Sequence, residues 1–194
     1  MSGNRLDQAS ILARAYARDP LMSFALPEPG PRHRKLTPLF RPFLRASARY
    51  GAIACDKQRR AVATWLAMDH FPIGTIDLIR GGLIDALRNV GLKPLMRIKH
   101  HERHCIATVK RIAPPRSAYL SAVGVLPEHR GQGHGGRIIR HVLEAMAEEG
   151  HKGCLLKTEN VDNVAFYEAL GFETLEREMV SASGLPVWVM GRPL

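Results

Sequence analysis

A chain of 194 residues, 45% of them hydrophobic, can bury one sizeable core and has no obvious material for a second, so a single domain over residues 1–194 is expected. No apolar run approaches the roughly 18–20 residues of a membrane span, and the first seven residues lack the basic-then-apolar pattern of a signal peptide, so the expectation is a soluble, cytoplasmic protein. The balance of 28 Lys and Arg against 18 Asp and Glu leaves a formal +10, which attracts nucleic acid, anionic lipid or a phosphorylated cofactor without choosing among them.

Apolar residues recur at helical spacing over 6–17, through Leu6, Ala9, Ile11, Leu12, Ala15 and Tyr16, and Asp19-Pro20 reads as the end of that helix. A proline- and glycine-rich break follows over 27–31. Leu36, Leu39, Phe40, Phe43 and Leu44 predict a second helix with Pro38 and Pro42 as defects, its other face carrying Arg32, His33, Arg34, Lys35, Arg41 and Arg45. Residues 50–55 and 61–68, separated by the polar run 56–60, predict an antiparallel hairpin. Helical spacing over 71–96, interrupted at Gly81-Gly82 and stopped near Gly91 and Pro94, predicts a segment that covers a substrate cleft.

Residues 119–126 read as a strand. A glycine loop follows, and Ile138, Ile139, Val142, Leu143 and Met146 then trace one helix face before Gly150 closes it. Residues 153–158 predict another strand, 161–170 a short helix, and 174–180 with 187–190 a final hairpin.

A phosphate needs oriented N–H donors and positive potential, and a glycine-rich turn feeding a helix N-terminus supplies both. Arg130-Gly131-Gln132-Gly133-His134-Gly135, followed by Gly136 and Arg137, meets that requirement. Gly131, Gly133 and Gly136 also satisfy G-x-G-x-x-G. In a dinucleotide fold, however, the first glycine comes directly off the strand, whereas here Leu126-Pro127-Glu128-His129-Arg130 intervene. A Walker A loop fails because no Gly-Lys-Ser/Thr follows.

Val125-Leu126-Pro127-Glu128-His129-Arg130-Gly131-Gln132-Gly133-His134-Gly135 resembles motif A of the GCN5-related N-acetyltransferase (GNAT) superfamily. Residues 160–172, with Asn163, Phe166-Tyr167 and Leu170-Gly171-Phe172, are similar to that family's second signature. Asp19-Pro20-Leu21-Met22 resembles the opening of its puromycin-N-acetyltransferase-like branch. The resemblance implies an α/β GNAT fold: a mixed central sheet of about six or seven strands, splayed between the fourth and fifth, with helices on both faces. It further implies an acetyl-CoA-dependent N-acetyltransferase of small primary amines, a monomer or homodimer with no nucleic-acid, membrane or metal partner. The alternatives are a protein N-acetyltransferase and a non-catalytic acyl-CoA-binding regulator.

By the same resemblance, acetyl-CoA lies in a wedge between splayed strands 119–126 and 153–158 and contacts Val123, Gly124, Val125, Arg130, Gly131, Gln132, Gly133, His134, Gly135, Gly136, Asn163 and Phe166. Strands that part leave backbone groups free for the pantetheine amides. The Val125 N–H is expected near the carbonyl oxygen, where negative charge develops. Tyr167 is the implied general acid for the leaving thiolate, held by a helix N-terminal turn; on residue pattern alone it reads as an aromatic packed beside Val164, Phe166 and Leu170.

The group that deprotonates the amine is left open. Glu159 is in range but reads as solvated surface, and Lys157 stands where branch relatives often carry an acid. His100-His101-Glu102-Arg103-His104 misses H-E-x-x-H by one residue and reads as a solvated basic loop; His129 and His134 are expected to point to solvent. Cys55, Cys105 and Cys154 are too scattered for a disulfide framework.

Overall fold

The computed structural model describes residues 7–28 and 30–194. Leu6 of the first predicted helix, Pro29 of the proline-rich break and residues 1–6 of the segment read for a signal peptide lie outside the described residues.

Helix α1 (Gln8–Ala15) is capped by Asp7, whose carboxylate accepts from the Ser10 N–H at 2.7 Å, and it buries Ala9, Ile11, Leu12 and Ala13. Asp19-Pro20 is a helix start as well as a stop. The Asp19 carboxylate accepts from the Met22 N–H at 3.1 Å, and Pro20 occupies the first position of α2 (Pro20–Ala25), where its missing N–H removes no helical bond. Helix α3 (Arg32–Tyr50) runs through both Pro38 and Pro42.

The 71–96 stretch divides into α4 (Thr75–Gly81) and α5 (Leu83–Val90), separated by Gly82 in the left-handed conformation at φ 110°. The chain does not stop at Pro94. That residue sits in the first turn of α6 (Leu92–Ile112), where its N–H would have no helical partner anyway, so the predicted basic loop at 100–104 is helical.

The six strands are β1 (Gly51–Cys55), β2 (Ala61–Ala67), β3 (Ser117–Val125), β4 (Gly153–Thr158), β5 (Glu173–Val180) and β6 (Leu185–Pro193), ordered β1-β2-β3-β4-β6-β5. All neighbours are antiparallel except β3 and β4, which α7 (His134–Glu148) connects; α8 (Asp162–Glu168) follows β4.

β3 and β4 pair only at Ser117/Gly153, Ala118/Cys154 and Tyr119/Leu155 and then part. On its other edge β3 stays with β2 to Val125, but the register jumps from Trp65/Leu120 to Thr64/Ala122, leaving Ser121 as an extra residue. A bulge bends its strand, and this one turns β3 away from β4 where their pairing ends. In a sheet of six the splayed pair is the third and fourth strand of the chain, formed by the two segments the sequence singled out.

Helix α7 packs Ile138, Ile139, Val142, Leu143 and Met146 on one sheet face against Ala63, Trp65, Leu120, Leu156 and Met190. The opposite face is covered in part by α6, through Cys105 and Val109, and in part by α1, through Ile11 and Leu12. Among the described residues no helix is long and apolar enough to cross a membrane.

Candidate active site

The parted strands, the loop before α7, the end of α1 and the start of α8 enclose a cleft of about 710 Å³. Gly131 and Gly133 adopt φ of 74° and 76°, a region L side chains enter only with strain. Gly133 also begins α7 without a side-chain cap, so the first N–H groups of that helix find no side-chain partner at the cap and face a site suited to an anion. A Cβ on Gly135 would stand 3.3 Å from Phe166 and 3.5 Å from Val125. The missing side chain thus lets the Phe166 ring close over the helix start. Gly136, Asn163 and His129 line the same space, and the Asn163 amide donates to Thr158 Oγ1 at 3.2 Å.

Three side chains at this end have partners within the protein, and Arg130 also lines the cleft. The Arg130 guanidinium donates to the Ala15 carbonyl at 2.6 Å, and Arg14 pairs with Glu128 at 3.1 Å, so α1 is fastened to the loop. His134 does not point to solvent: its ring is 9% exposed, with Nδ1 3.5 Å from Asp56 and 3.1 Å from Arg137. The Gln132 side-chain amide donates to the Glu128 carbonyl at 3.4 Å.

Val123, Gly124 and Val125 form one wall of the wedge. A Cβ on Gly124 would lie 2.8 Å from Leu12 and 2.9 Å from Ala15, so this glycine is what lets α1 rest directly on β3. The contact brings the Tyr16 hydroxyl to the Val123 N–H, which donates to it at 3.3 Å. N–H groups two residues apart face the same side of a strand, so the Val125 N–H also faces the opening.

Tyr167 borders the cleft from the last turn of α8, not from its N-terminal turn, with its ring 5.3 Å from Phe166 and 5.8 Å from Phe172. Burial, with the nearby Cys154, Glu159 and Asp19 groups adding, pushes its phenol above the ordinary tyrosine range, so it holds its proton at neutral pH.

At the far end of the wedge Asp19, Lys157 and Glu159 line the cleft. Glu159 is 8% exposed and not surface. Its Oε1 accepts from His101 Nε2 at 2.9 Å and from Lys157 Nζ at 2.5 Å, while the same ammonium reaches Glu102 at 2.9 Å and His101 Nδ1 faces Ser183 Oγ at 2.8 Å. Burial by itself would raise the Glu159 carboxyl, but Lys157 and His101 override it and hold it below the ordinary range. Asp19 goes the other way. Burial, reinforced by the Glu159 charge, pushes it up to about 6 against the Met22 N–H bond.

His101, Cys105 and Glu159 bring three ligand-type atoms within 4.8 Å of one another. The Lys157 ammonium already sits against Glu159 as the cation there, and burial pushes the Cys105 thiol up to about 12, away from a metal-binding thiolate.

Residues 96–174 match the acetyltransferase (GNAT) domain family. Within those residues, which hold the glycine loop and both parted strands, the chain is similar to that family. Its fold is similar to a Corynebacterium glutamicum structure described as histone acetyltransferase HPA2 and related acetyltransferase, at 22% identity over 98% of this chain and 94% of that one, with a TM-score of 0.63. It is also similar to the polyamine N-acetyltransferase of Drosophila melanogaster, at 20% identity over 95% of this chain and 91% of that one, with a TM-score of 0.61. Other matches are partial: this chain covers 58% of a structure from Agrobacterium tumefaciens, at 22% identity over 41% of its own length and a TM-score of 0.39.

The GNAT domain match spans the glycine loop, both splayed strands and most of α6, and leaves Tyr16 and Asp19 outside. Both were missed as site residues in the sequence. The signal for Asp19 was its own pattern, an Asp-Pro pair that caps a new helix. For His101 it was the stripe Ile98, His101, Cys105, Thr108 and Ile112, whose steps of three and four place a histidine on the buried side of α6.

Proposed function

We propose that the protein is an acetyl-CoA-dependent N-acetyltransferase of small primary amines. The observation that carries this reading is that one cleft joins a glycine-rich helix start, a parted pair of parallel strands and a buried phenol. Acetyl-CoA supplies the reactive thioester. Gly131, Gly133 and the first N–H groups of α7 would hold its diphosphate, and the backbone carbonyls on the parted edge of β3, from Val123 to Val125, would accept from its pantetheine amides.

The acceptor must lose a proton before it attacks, since an alkylamine is mostly charged at neutral pH. Asp19, raised to about 6, is ionised at neutral pH and still basic enough to take that proton. Glu159 is a poorer base because Lys157 and His101 hold its charge in place. The Val125 N–H would stabilise the charge that develops on the carbonyl oxygen, and Tyr167 would give its proton to the departing sulfur. Asp19 and Glu159 also make this end of a +10 chain locally acidic, which suits an amine that arrives as a cation. A small amine agrees with the fold likeness to a polyamine N-acetyltransferase.

Two measurements test this together. Acetyl-CoA at 100 times its Kd should stabilise the fold by about 2.7 kcal/mol, and thiol release should follow when a primary amine is added. Tyr167→Phe should keep the thermal shift and lose roughly a hundredfold in turnover. Absence of any shift at millimolar acetyl-CoA overturns the reading.

A further inference from the structure

Tyr16 belongs to none of the groups assigned above, yet it lines the cleft. Its ring is fixed against Phe40 with centroids 5.2 Å apart, and its hydroxyl oxygen accepts from the Val123 N–H at 3.3 Å. That N–H belongs to β3 where the strand has lost its parallel neighbour, so the phenol stands where a ligand's polar atoms would otherwise approach the strand. A hydroxyl that accepts one bond still has a proton to give, and among the described residues no acceptor takes it. Tyr16 and Tyr167 both face the cleft and are close enough to act on each other electrostatically, so the two phenols flank one small volume. If Tyr167 meets the sulfur of a thioester, the carbonyl oxygen is only two bonds away, inside the volume that both phenols line.

We propose that the Tyr16 hydroxyl, held and polarised by the Val123 N–H, donates a hydrogen bond to the thioester carbonyl oxygen of the bound acyl donor. This rests on the acetyl-CoA reading given above. It makes Tyr16 a second donor to the oxygen that becomes negative as the amine attacks, beside the Val125 N–H. The phenol keeps its proton throughout; burial, with Tyr167 and Asp19 adding, raises it far above neutrality. Gly124 belongs to the same device, because only a residue without a Cβ lets α1 approach β3 closely enough for the phenol to reach the strand.

The test needs no known acceptor, because coenzyme A has the pantetheine and the phosphates but lacks the thioester carbonyl. Titration calorimetry of the full chain and of Tyr16→Phe, with acetyl-CoA and with coenzyme A, separates the contributions. Tyr16→Phe keeps the ring and its contact with Phe40. One neutral hydrogen bond is worth roughly a three- to tenfold change in Kd, so Tyr16→Phe should weaken acetyl-CoA by that factor and leave coenzyme A within twofold. Where an amine is turned over, kcat should fall by at least the same factor.

Equal changes for both ligands, in either direction, would overturn the proposal and show that the hydroxyl only fills the wedge until pantetheine displaces it. No change for either would overturn it too. Failure of the wild-type chain to bind either ligand would instead defeat the acetyl-CoA reading, and this inference with it.

Discussion

The glycine-loop end of the cleft presents backbone: Gly131 and Gly133 in left-handed conformations and the opening N–H groups of α7, all within a few consecutive residues. The other end, where the proposed acceptor would enter, presents side chains drawn from distant parts of the chain, Tyr16 and Asp19 after α1, Lys157 and Glu159 at the end of β4, and His101 and Glu102 from α6. Backbone recognition asks for a conformation, and conformation is set by neighbouring letters. Charge recognition asks for a balance of buried groups, and that balance is set by whatever the fold brings together. The first end can be tested by changing a single φ-restricted residue, the second only by unbalancing a network.

The largest expected effect lies in that network. Lys157→Met removes the cation shared by Glu102 and Glu159 and leaves a nearly buried carboxylate with His101 as its remaining partner among the described residues. Breaking a buried pair from one side costs about 3–5 kcal/mol, which a denaturant midpoint at pH 7 would register. The sign with pH is fixed by Glu159. Without Lys157 its burial is no longer overridden, so its folded pKa rises, and protonation at lower pH relieves the unpaired charge. The stability gap between variant and wild type should therefore narrow as pH falls from 7 to 5. A gap that is small and independent of pH would show that the proposed acceptor end is not held by charge.

Next comes Asp19. If it takes the amine's proton, kcat/KM in the wild type rises with pH through about 6, as the carboxyl loses its own proton, and falls about tenfold per unit below that. Asp19→Asn should lower kcat/KM by about a hundredfold and abolish that acidic limb while leaving the Kd for acetyl-CoA within a few fold. Asparagine can still accept from the Met22 N–H, so the start of α2 is preserved. A retained acidic limb in Asp19→Asn would move the base elsewhere in the cleft.

The same contrast explains what could be read from the sequence. The β3–loop–α7 unit was legible because each of its requirements, an apolar strand, glycines at positive φ and a helix with one apolar face, is written within thirty consecutive residues. Glu159 was read as surface because its partner His101 is 58 residues away and lay in a segment taken for a basic loop. Pro94 gave that impression, since a proline halts a helix in its interior and favours it in its first turn, and spacing alone does not say which turn it is in. Tyr16, read as part of the first helix, is the residue that ends it, and nothing in its neighbours marked it as a site residue. Its reach to Val123, 107 residues on, depends on Gly124, whose meaning as a close-packing position emerges only with α1 lying across it.

The smallest expected effect isolates the glycine-loop end. Gly131 has φ 74°, and a methyl added there would find nothing within 4 Å, so Gly131→Ala meets no clash in the free protein. An alanine there costs about 1–2 kcal/mol for the left-handed conformation, offset by about 0.4–1 kcal/mol from a less flexible unfolded chain. The net loss near 1 kcal/mol should lower Tm by about 2–4 °C in a domain of this size. Acetyl-CoA should weaken by about tenfold, because the methyl projects from a loop residue that borders the cleft where a diphosphate would rest. A melting temperature lowered as expected with an unchanged Kd would mean that the loop's left-handed glycines serve the turn alone, and that the backbone donors for the diphosphate lie further into α7.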